Sequence, residues 1–189
     1  PATAVAAMQR PGAVSNSVGF TVGDTWRFQT VDKFKKEVIR NWSNRVDRIT
    51  ADGKLSVNNG YQTWDAKGQF ISSKSDAGRT RELSPSAASI PQRLQVGHSE
   101  EVSFRFNWKN EDGRSGEAEN KGTLKVLAYE KVQVPAGEFM AFKVQFQGYS
   151  TGRFTHTTGT YNVAQKQVWW YVPELRRHVA SEFEERNSS

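Results

Sequence analysis

The chain contains no cysteine, which excludes disulfides, a thiolate nucleophile and cysteine-ligated zinc. Leucine is scarce, with 6 residues against 18 valines, and no stretch approaches the roughly 18 apolar residues of a membrane span. We therefore predict no membrane span. The aromatic residues (11 Phe, 6 Trp and 5 Tyr) must supply much of the apolar area that a core needs.

The common catalytic and cofactor-binding motifs are also missing. There is no glycine-rich dinucleotide or phosphate loop, no nucleophile elbow and no paired-histidine zinc motif. The three histidines, His98, His156 and His178, are far apart and have different neighbours, which argues against a metal centre. The sequence thus predicts no cofactor, no metal site and no enzymatic activity.

A net charge of +6 and a pI near 9.6 permit attraction to nucleic acid, anionic lipid or acidic glycan. The only dense basic cluster is Lys33, Lys35 and Lys36, and Glu37 interrupts it at once. Elsewhere both signs are mixed, as on an ordinary solvated surface. We predict that the protein does not bind nucleic acid.

Turn signals and alternation indicate a β-protein. Four tripeptides place a glycine that can adopt positive φ after two turn residues, which is typical of antiparallel hairpins: Ala51-Asp52-Gly53, Ala66-Lys67-Gly68, Glu111-Asp112-Gly113 and Pro135-Ala136-Gly137. In the last of these we expect Pro135 to preset the turn and Gly137 to take the left-handed position of a bulge. The segment from Val102 to Trp108 alternates apolar and polar residues, as a half-buried strand does. The predicted fold is all-β, a curved antiparallel meander that forms an incomplete barrel or a sandwich.

Residues 33–50 are open to two interpretations. Ile39, Trp42, Val46 and Ile49 have helical spacing. The residues between Ile39 and Val46 are poor helix formers, and a hairpin signal follows, which favours a strand.

The two ends of the chain have few large apolar side chains that could pack in a core. Residues 1–19 are small, alanine-rich and polar, and we expect a flexible linker or a trimmed leader. Residues 186–189 are predicted to be a solvated tail. A single β-domain is expected over residues 20–185.

Three segments resemble the DUF3108-like group of bacterial envelope proteins. They are Val22-Gly23-Asp24-Thr25-Trp26, then Val132 to Phe139 with Ala141, Lys143 and Val144, and finally Trp170-Tyr171-Val172-Pro173 with Arg177 and Val179. The resemblance implies a curved antiparallel barrel or sandwich in a periplasmic or otherwise extracytoplasmic protein, and it implies no catalytic residues. The group commonly has a glycine after the turn at Pro173. This chain has Leu175-Arg176 there, so we expect a turn of different shape.

The segment VWWYVP suggests a binding surface. Alternation places Trp169 and Tyr171 on one face of a strand and Val168, Trp170 and Val172 on the other. We predict that Trp169 and Tyr171, with Arg153 and Lys166 or Arg177 from flanking hairpins, bind an extended partner that carries carboxylate or phosphate. The opposing interpretation is that these rings are ordinary sheet packing.

The function we predict is a non-catalytic extracytoplasmic module that binds or scaffolds. Its partner would be a lipid, a glycan, an extended peptide or another envelope protein. The alternatives are a carbohydrate-binding module and a glycan hydrolase that uses two carboxylates. An elongated apolar cavity would favour lipid, coplanar exposed aromatics would favour glycan, and two carboxylates in a cleft would favour hydrolysis.

Overall fold

A computed structural model of the protein describes residues 2–9, 19–32 and 34–187, with side chains for 19–32 and 34–184. The strands are β1 (Ala2–Gln9), β2 (Thr25–Asp32), β3 (Glu37–Ile49), β4 (Leu55–Val57), β5 (Gln62–Trp64), β6 (Phe70–Lys74), β7 (Thr80–Ser84), β8 (Ser99–Lys109), β9 (Ser115–Val134), β10 (Gly137–Phe154), β11 (Thr160–Val172) and β12 (Arg177–Asn187). A 3-10 turn, η1 (Pro173–Leu175), joins the last two strands. No helix in these ranges is long and apolar enough to cross a bilayer.

The fold is all-β, as predicted, with 65% of the chain in strands. Strands β2 to β12 form one antiparallel meander in which each strand pairs with its neighbours in sequence, and these eleven strands do not close into a barrel. The N-terminal strand β1 lies between the two edges of this sheet. It pairs along its whole length with β2, and through Thr3–Val5 with β12.

Both ends of the chain carry more structure than the sequence indicates. The segment 1–19, expected to be a linker or trimmed leader, contains β1, because the edges of β2 and β12 offer backbone groups with which even a small-residue segment can pair. At the other end, Arg186 and Asn187 of the expected tail belong to β12 and pair with β11. Residues 1, 10–18, 188 and 189, and Lys33 of the basic cluster, lie outside the described residues.

The predicted turns connect consecutive strands of the meander. Gly53, Gly68 and Gly113 have φ between 80° and 85° and follow the residues that turn the chain, as expected. Gly137 has φ +129°, but it pairs with Val134 as the first residue of β10. The hairpin turn is therefore the two residues Pro135 and Ala136, shorter than the bulged turn that the sequence suggested.

Residues 37–49 form strand β3, so the helical alternative was wrong. Trp42 faces Phe28 of β2, and the two rings stack with centroids 4.2 Å apart. Trp42 is one of the residues with helical spacing, yet its partner Phe28 lies on another strand. In the turn after Pro173, Arg176 has φ +50°, in the left-handed region, and donates its N–H to the Pro173 carbonyl oxygen at 3.0 Å.

On β9 from Ala118 to Val126, and on β10 from Val144 to Ser150, one face of the sheet is buried and the other is mostly exposed. On β9, Ala118, Asn120 and Leu124 are buried, whereas Glu119 and Lys121 between them are exposed. We call the buried side the inner face and the solvated side the outer face.

The buried side chains form two clusters. The larger one joins Trp26, Phe28, Val46, Leu55, Val57, Trp64, Ala141, Val172 and Val179. The smaller one lies on the inner face and joins Leu124, Val126, Val144 and Phe146.

Two glycines let β9 and β10 approach closely in this region. Gly122 and Gly148 are register partners, and a Cβ on Gly148 would lie 2.7 Å from the Gly122 Cα and would overlap the Lys121 carbonyl oxygen. Only glycine fits such an approach, which is typical of sites where a sheet bends.

Candidate functional site

The inner face carries a cavity of about 250 Å³ beside the smaller cluster. Its walls come from Leu83, Ala87, Ala88, Ser89, Phe104, Phe106, Asn120, Phe146, Gln165, Gln167, Trp169 and Phe183. Half of these are large apolar or aromatic side chains, and none is ionisable. Phe183, 39% exposed, stands where the cavity meets solvent.

Strand register brings these residues onto one face. Phe104 of β8 pairs with Asn120 of β9, which in turn pairs with Ser150 of β10. Phe146 pairs with Gln167 of β11 in the same way. Paired residues project from the same side of a sheet, so residues distant in sequence meet at the cavity.

Asn120 is the polar exception in the apolar row of β9. Its side chain is 4% exposed, and its Nδ2 has no hydrogen-bond partner among the described residues. A buried donor without a partner costs about 1–3 kcal/mol, so such groups are rare unless they serve another purpose.

The cavity is roofed by the connection between β7 and β8, at Ala87, Ala88 and Ser89. The buried Gln69 secures this roof. Its Oε1 accepts the backbone N–H groups of Ser89 and Ile90, each at 3.0 Å, while its Nε2 donates to Asp65 Oδ2 at 3.1 Å.

His178 fixes the roof from the other side. Its ring stacks on Trp169 with centroids 5.7 Å apart and an interplanar angle of 27°, and its Nε2 is 3.3 Å from the Ser89 carbonyl oxygen. Burial, with a contribution from the positive charge of Arg177, lowers the pKa of His178 to about 3. The ring is therefore neutral at pH 7, and Nε2–H donates to Ser89.

Arg177 does not line this cavity, but with Trp169 and His178 it lines a smaller neighbouring cavity of about 170 Å³. Its guanidinium lies 3.8 Å from the Trp64 ring centroid and 5.4 Å from that of Trp26, and Nη1 donates to the Gly68 carbonyl oxygen at 2.9 Å. Burial lowers its pKa to about 9, which leaves it charged at pH 7. Contacts with the faces of two indoles are favourable for such a cation.

The predicted residues Trp169 and Tyr171 lie on one side of β11 and Trp170 on the other. Trp169 pairs with Val144 and lines the cavity, whereas Trp170 pairs with Lys143 and donates its Nε1–H to Glu130 at 2.8 Å. Tyr171 is 7% exposed and packs its ring against His178. Burial raises the pKa of the Tyr171 hydroxyl, which stays protonated at neutral pH.

Arg153 and Lys166 do not join Trp169. Arg153 pairs with Thr160, nine positions before Trp169 on β11, which corresponds to about 30 Å along the strand. Its Nε forms an ion pair with Glu117 Oε1 at 2.6 Å. Lys166 pairs with Gln147 on the outer face. Alternation and strand length therefore separate Arg153 and Lys166 from Trp169, and of the predicted cations only Arg177 lines a cavity together with Trp169.

Lys166 instead lines a groove of about 740 Å³ on the outer face. The groove also contains Lys125, Gln145, Gln147 and Tyr149. Tyr149 is 56% exposed and is the single aromatic side chain in this wall, so the groove lacks the coplanar pair that would indicate a glycan platform.

Three carboxylates of β9 and β10, the kind of side chain that a glycan hydrolase would need in a cleft, are engaged in ion pairs at the surface. Glu117 and Glu119 line a second outer groove, but they form ion pairs with Arg153 and Lys121. Glu138 pairs with Lys131 at 2.8 Å. Among the described residues, no three His, Asp or Glu side chains are grouped so that they could hold a metal ion.

Sequence reasoning identified Trp169 as a binding residue but did not identify the other residues that line the cavity. One signal was available. In the alternating row Ala118, Asn120, Gly122, Leu124, an amide occupies a position where the pattern favours an apolar residue. The contributions of Phe183 and of Ala87–Ser89 had no local signal.

Comparisons with protein-family models, with curated proteins and with solved structures gave no match for this chain. They do not bear on the resemblance to the DUF3108-like group, which stays a prediction.

Proposed function

We propose that this protein is a non-catalytic binding module that holds a small apolar or amphipathic molecule in the inner cavity. The observation that carries the proposal is the cavity itself, in which five aromatic rings and Leu83 surround about 250 Å³ with no ionisable side chain in the wall. Its volume is close to the lower end of the roughly 300–1,000 Å³ typical of small-molecule sites. Burial of apolar ligand area there would supply the binding free energy.

The structure favours this site over the outer groove. The outer groove is lined largely by amides and charged side chains that water already solvates, and it has one aromatic side chain. The inner cavity is lined mainly by aromatic and apolar side chains, so a ligand there would bury apolar area against them. We also propose a role in the bacterial envelope, which rests on the resemblance in three sequence segments.

Titration with N-phenyl-1-naphthylamine, an uncharged dye that fluoresces when removed from water, tests the proposal. We expect saturable binding to the wild-type protein. The variant Ala88→Phe, which adds a ring to the roof, should weaken dye binding at least tenfold because the ring occupies ligand space.

The matched control is Ala136→Phe, which adds the same ring at an exposed turn residue far from the cavity. It should bind the dye like the wild type. Absence of saturable binding by the wild type, or equal affinities of the two variants, would refute the cavity as the site.

A further inference from the structure

We infer that the ligand of the inner cavity is an uncharged molecule whose apolar body carries a hydrogen-bond acceptor, such as a long-chain alcohol, ketone or ester. This inference rests on the proposed function and specifies its ligand class.

The acceptor is inferred from Asn120. Its side chain lines the cavity, is 4% exposed, and has an Nδ2 without a partner among the described residues. Leaving such a donor unpaired in an apolar wall is costly, and an oxygen atom on a bound ligand would remove that cost. An apolar residue at this position would avoid the penalty, as the buried Ala118 and Leu124 do on the same strand.

The absence of charge is inferred from the cavity wall. The polar groups of its lining residues belong to Ser89, Asn120, Gln165 and Gln167, all uncharged. The nearby cation Arg177 is held by Trp64, Trp26 and the Gly68 carbonyl oxygen. The adjacent His178 is neutral at pH 7, as described above. A ligand carboxylate or phosphate would therefore be desolvated without a counter-charge, which is strongly unfavourable.

The test measures displacement of the dye by octanone, octane and octanoate at about pH 8. In the variant Asn120→Leu, the affinity for octanone should fall about three- to tenfold, the loss expected for one hydrogen bond. The affinity for octane should be unchanged or higher. Octanoate should compete far more weakly than octanone with the wild type.

Ser150→Ala is the matched control. Ser150 is the buried register partner of Asn120 on β10 but does not line the cavity, so this variant should keep the wild-type affinity for octanone. A second measurement needs no variant at Asn120. The side-chain amide resonances of Asn120 in the wild type should shift with octanone and much less with octane.

Two results would overturn the inference while leaving the proposed function intact. One is octanoate competing as well as octanone; the other is equal amide shifts with octanone and octane. If the dye itself does not bind the wild type, the proposed function fails instead.

Discussion

His178 lies among groups that disfavour its protonated form, and this makes the stability of the protein depend on pH. The folded-state pKa is lowered to about 3, against about 6.5 for an unperturbed histidine. Between these values the unfolded chain binds a proton that the folded protein does not. The contribution of His178 is therefore fully present above about pH 6.5 and is lost as the pH falls, by up to about 1.4 kcal/mol per pH unit.

Urea unfolding at pH 7.5 and pH 5 checks this for the wild type and for His178→Phe, which keeps an aromatic ring on Trp169 but cannot titrate. We expect the wild type to lose more unfolding free energy over this interval than the variant. His156→Phe, at an exposed residue, is the control and should behave like the wild type. Equal losses in wild type and His178→Phe would contradict the neutral state of His178 in the folded protein.

Gly137 has a backbone conformation that favours glycine, although its surroundings leave room for a side chain. Its φ is +129°, a value that side chains with a Cβ rarely adopt, while a Cβ there would have no atom within 4 Å. Gly137→Val should therefore destabilise the protein by about 1–3 kcal/mol through backbone strain alone. The measurement is the free energy of unfolding in urea.

Glu138→Gln is the neighbouring control. It removes only the exposed ion pair between Glu138 and Lys131, and such pairs contribute at most about 1 kcal/mol. If Gly137→Val were as mild as Glu138→Gln, the hairpin at Pro135 and Ala136 would have to differ from the one described.

At the level of elements, Gln69 supplies the acceptor for two backbone N–H groups of the connection between β7 and β8. Gln69→Leu would leave the N–H groups of Ser89 and Ile90 without their acceptor. Because this connection can open to water, we expect a loss of only about 1–3 kcal/mol in global stability. Hydrogen exchange should nevertheless accelerate strongly at Ser89 and Ile90, and dye affinity should fall as the roof opens.

Gln62→Leu is a suitable comparison, because the Gln62 side chain accepts a hydrogen bond from Trp64 Nε1, whereas Ser89 and Ile90 donate to Gln69. It should leave exchange at Ser89 and Ile90 unchanged. Unchanged exchange in Gln69→Leu would show that the roof is held by other contacts.

For the whole molecule, β1 has a role that the expected linker would not have. It covers the edge of β2 along Thr25–Asp32 and part of the edge of β12. Removing residues 1–18 should expose both edges, and unpaired edges promote pairing between molecules. We expect the shortened protein to self-associate in size-exclusion chromatography with light scattering. A monomer with the unfolding midpoint of the full chain would show that the edges do not need β1.

The sequence by itself determined the class of fold and much of the meander. The glycines of the hairpin turns and the alternation from Val102 to Trp108 are local signals, because backbone conformation and strand periodicity act over a few residues. Local signals also placed Trp169 and Trp170 on opposite sides of β11, as the structure confirms. They could not assign residues 37–49 without ambiguity, since the stacking of Trp42 on Phe28 depends on another strand.

Only the tertiary structure decided which faces meet. Arg177 looked like a binding cation in the sequence, yet it lies between Trp26 and Trp64 and donates to Gly68, 109 residues away. Arg153 looked like its partner but lies at the far end of a long hairpin. The cavity at Asn120 exists because strand register, the close approach of β9 and β10 at Gly122 and Gly148, and the connection held by Gln69 bring distant residues together. These are long-range contacts, which the alternation of single strands cannot specify.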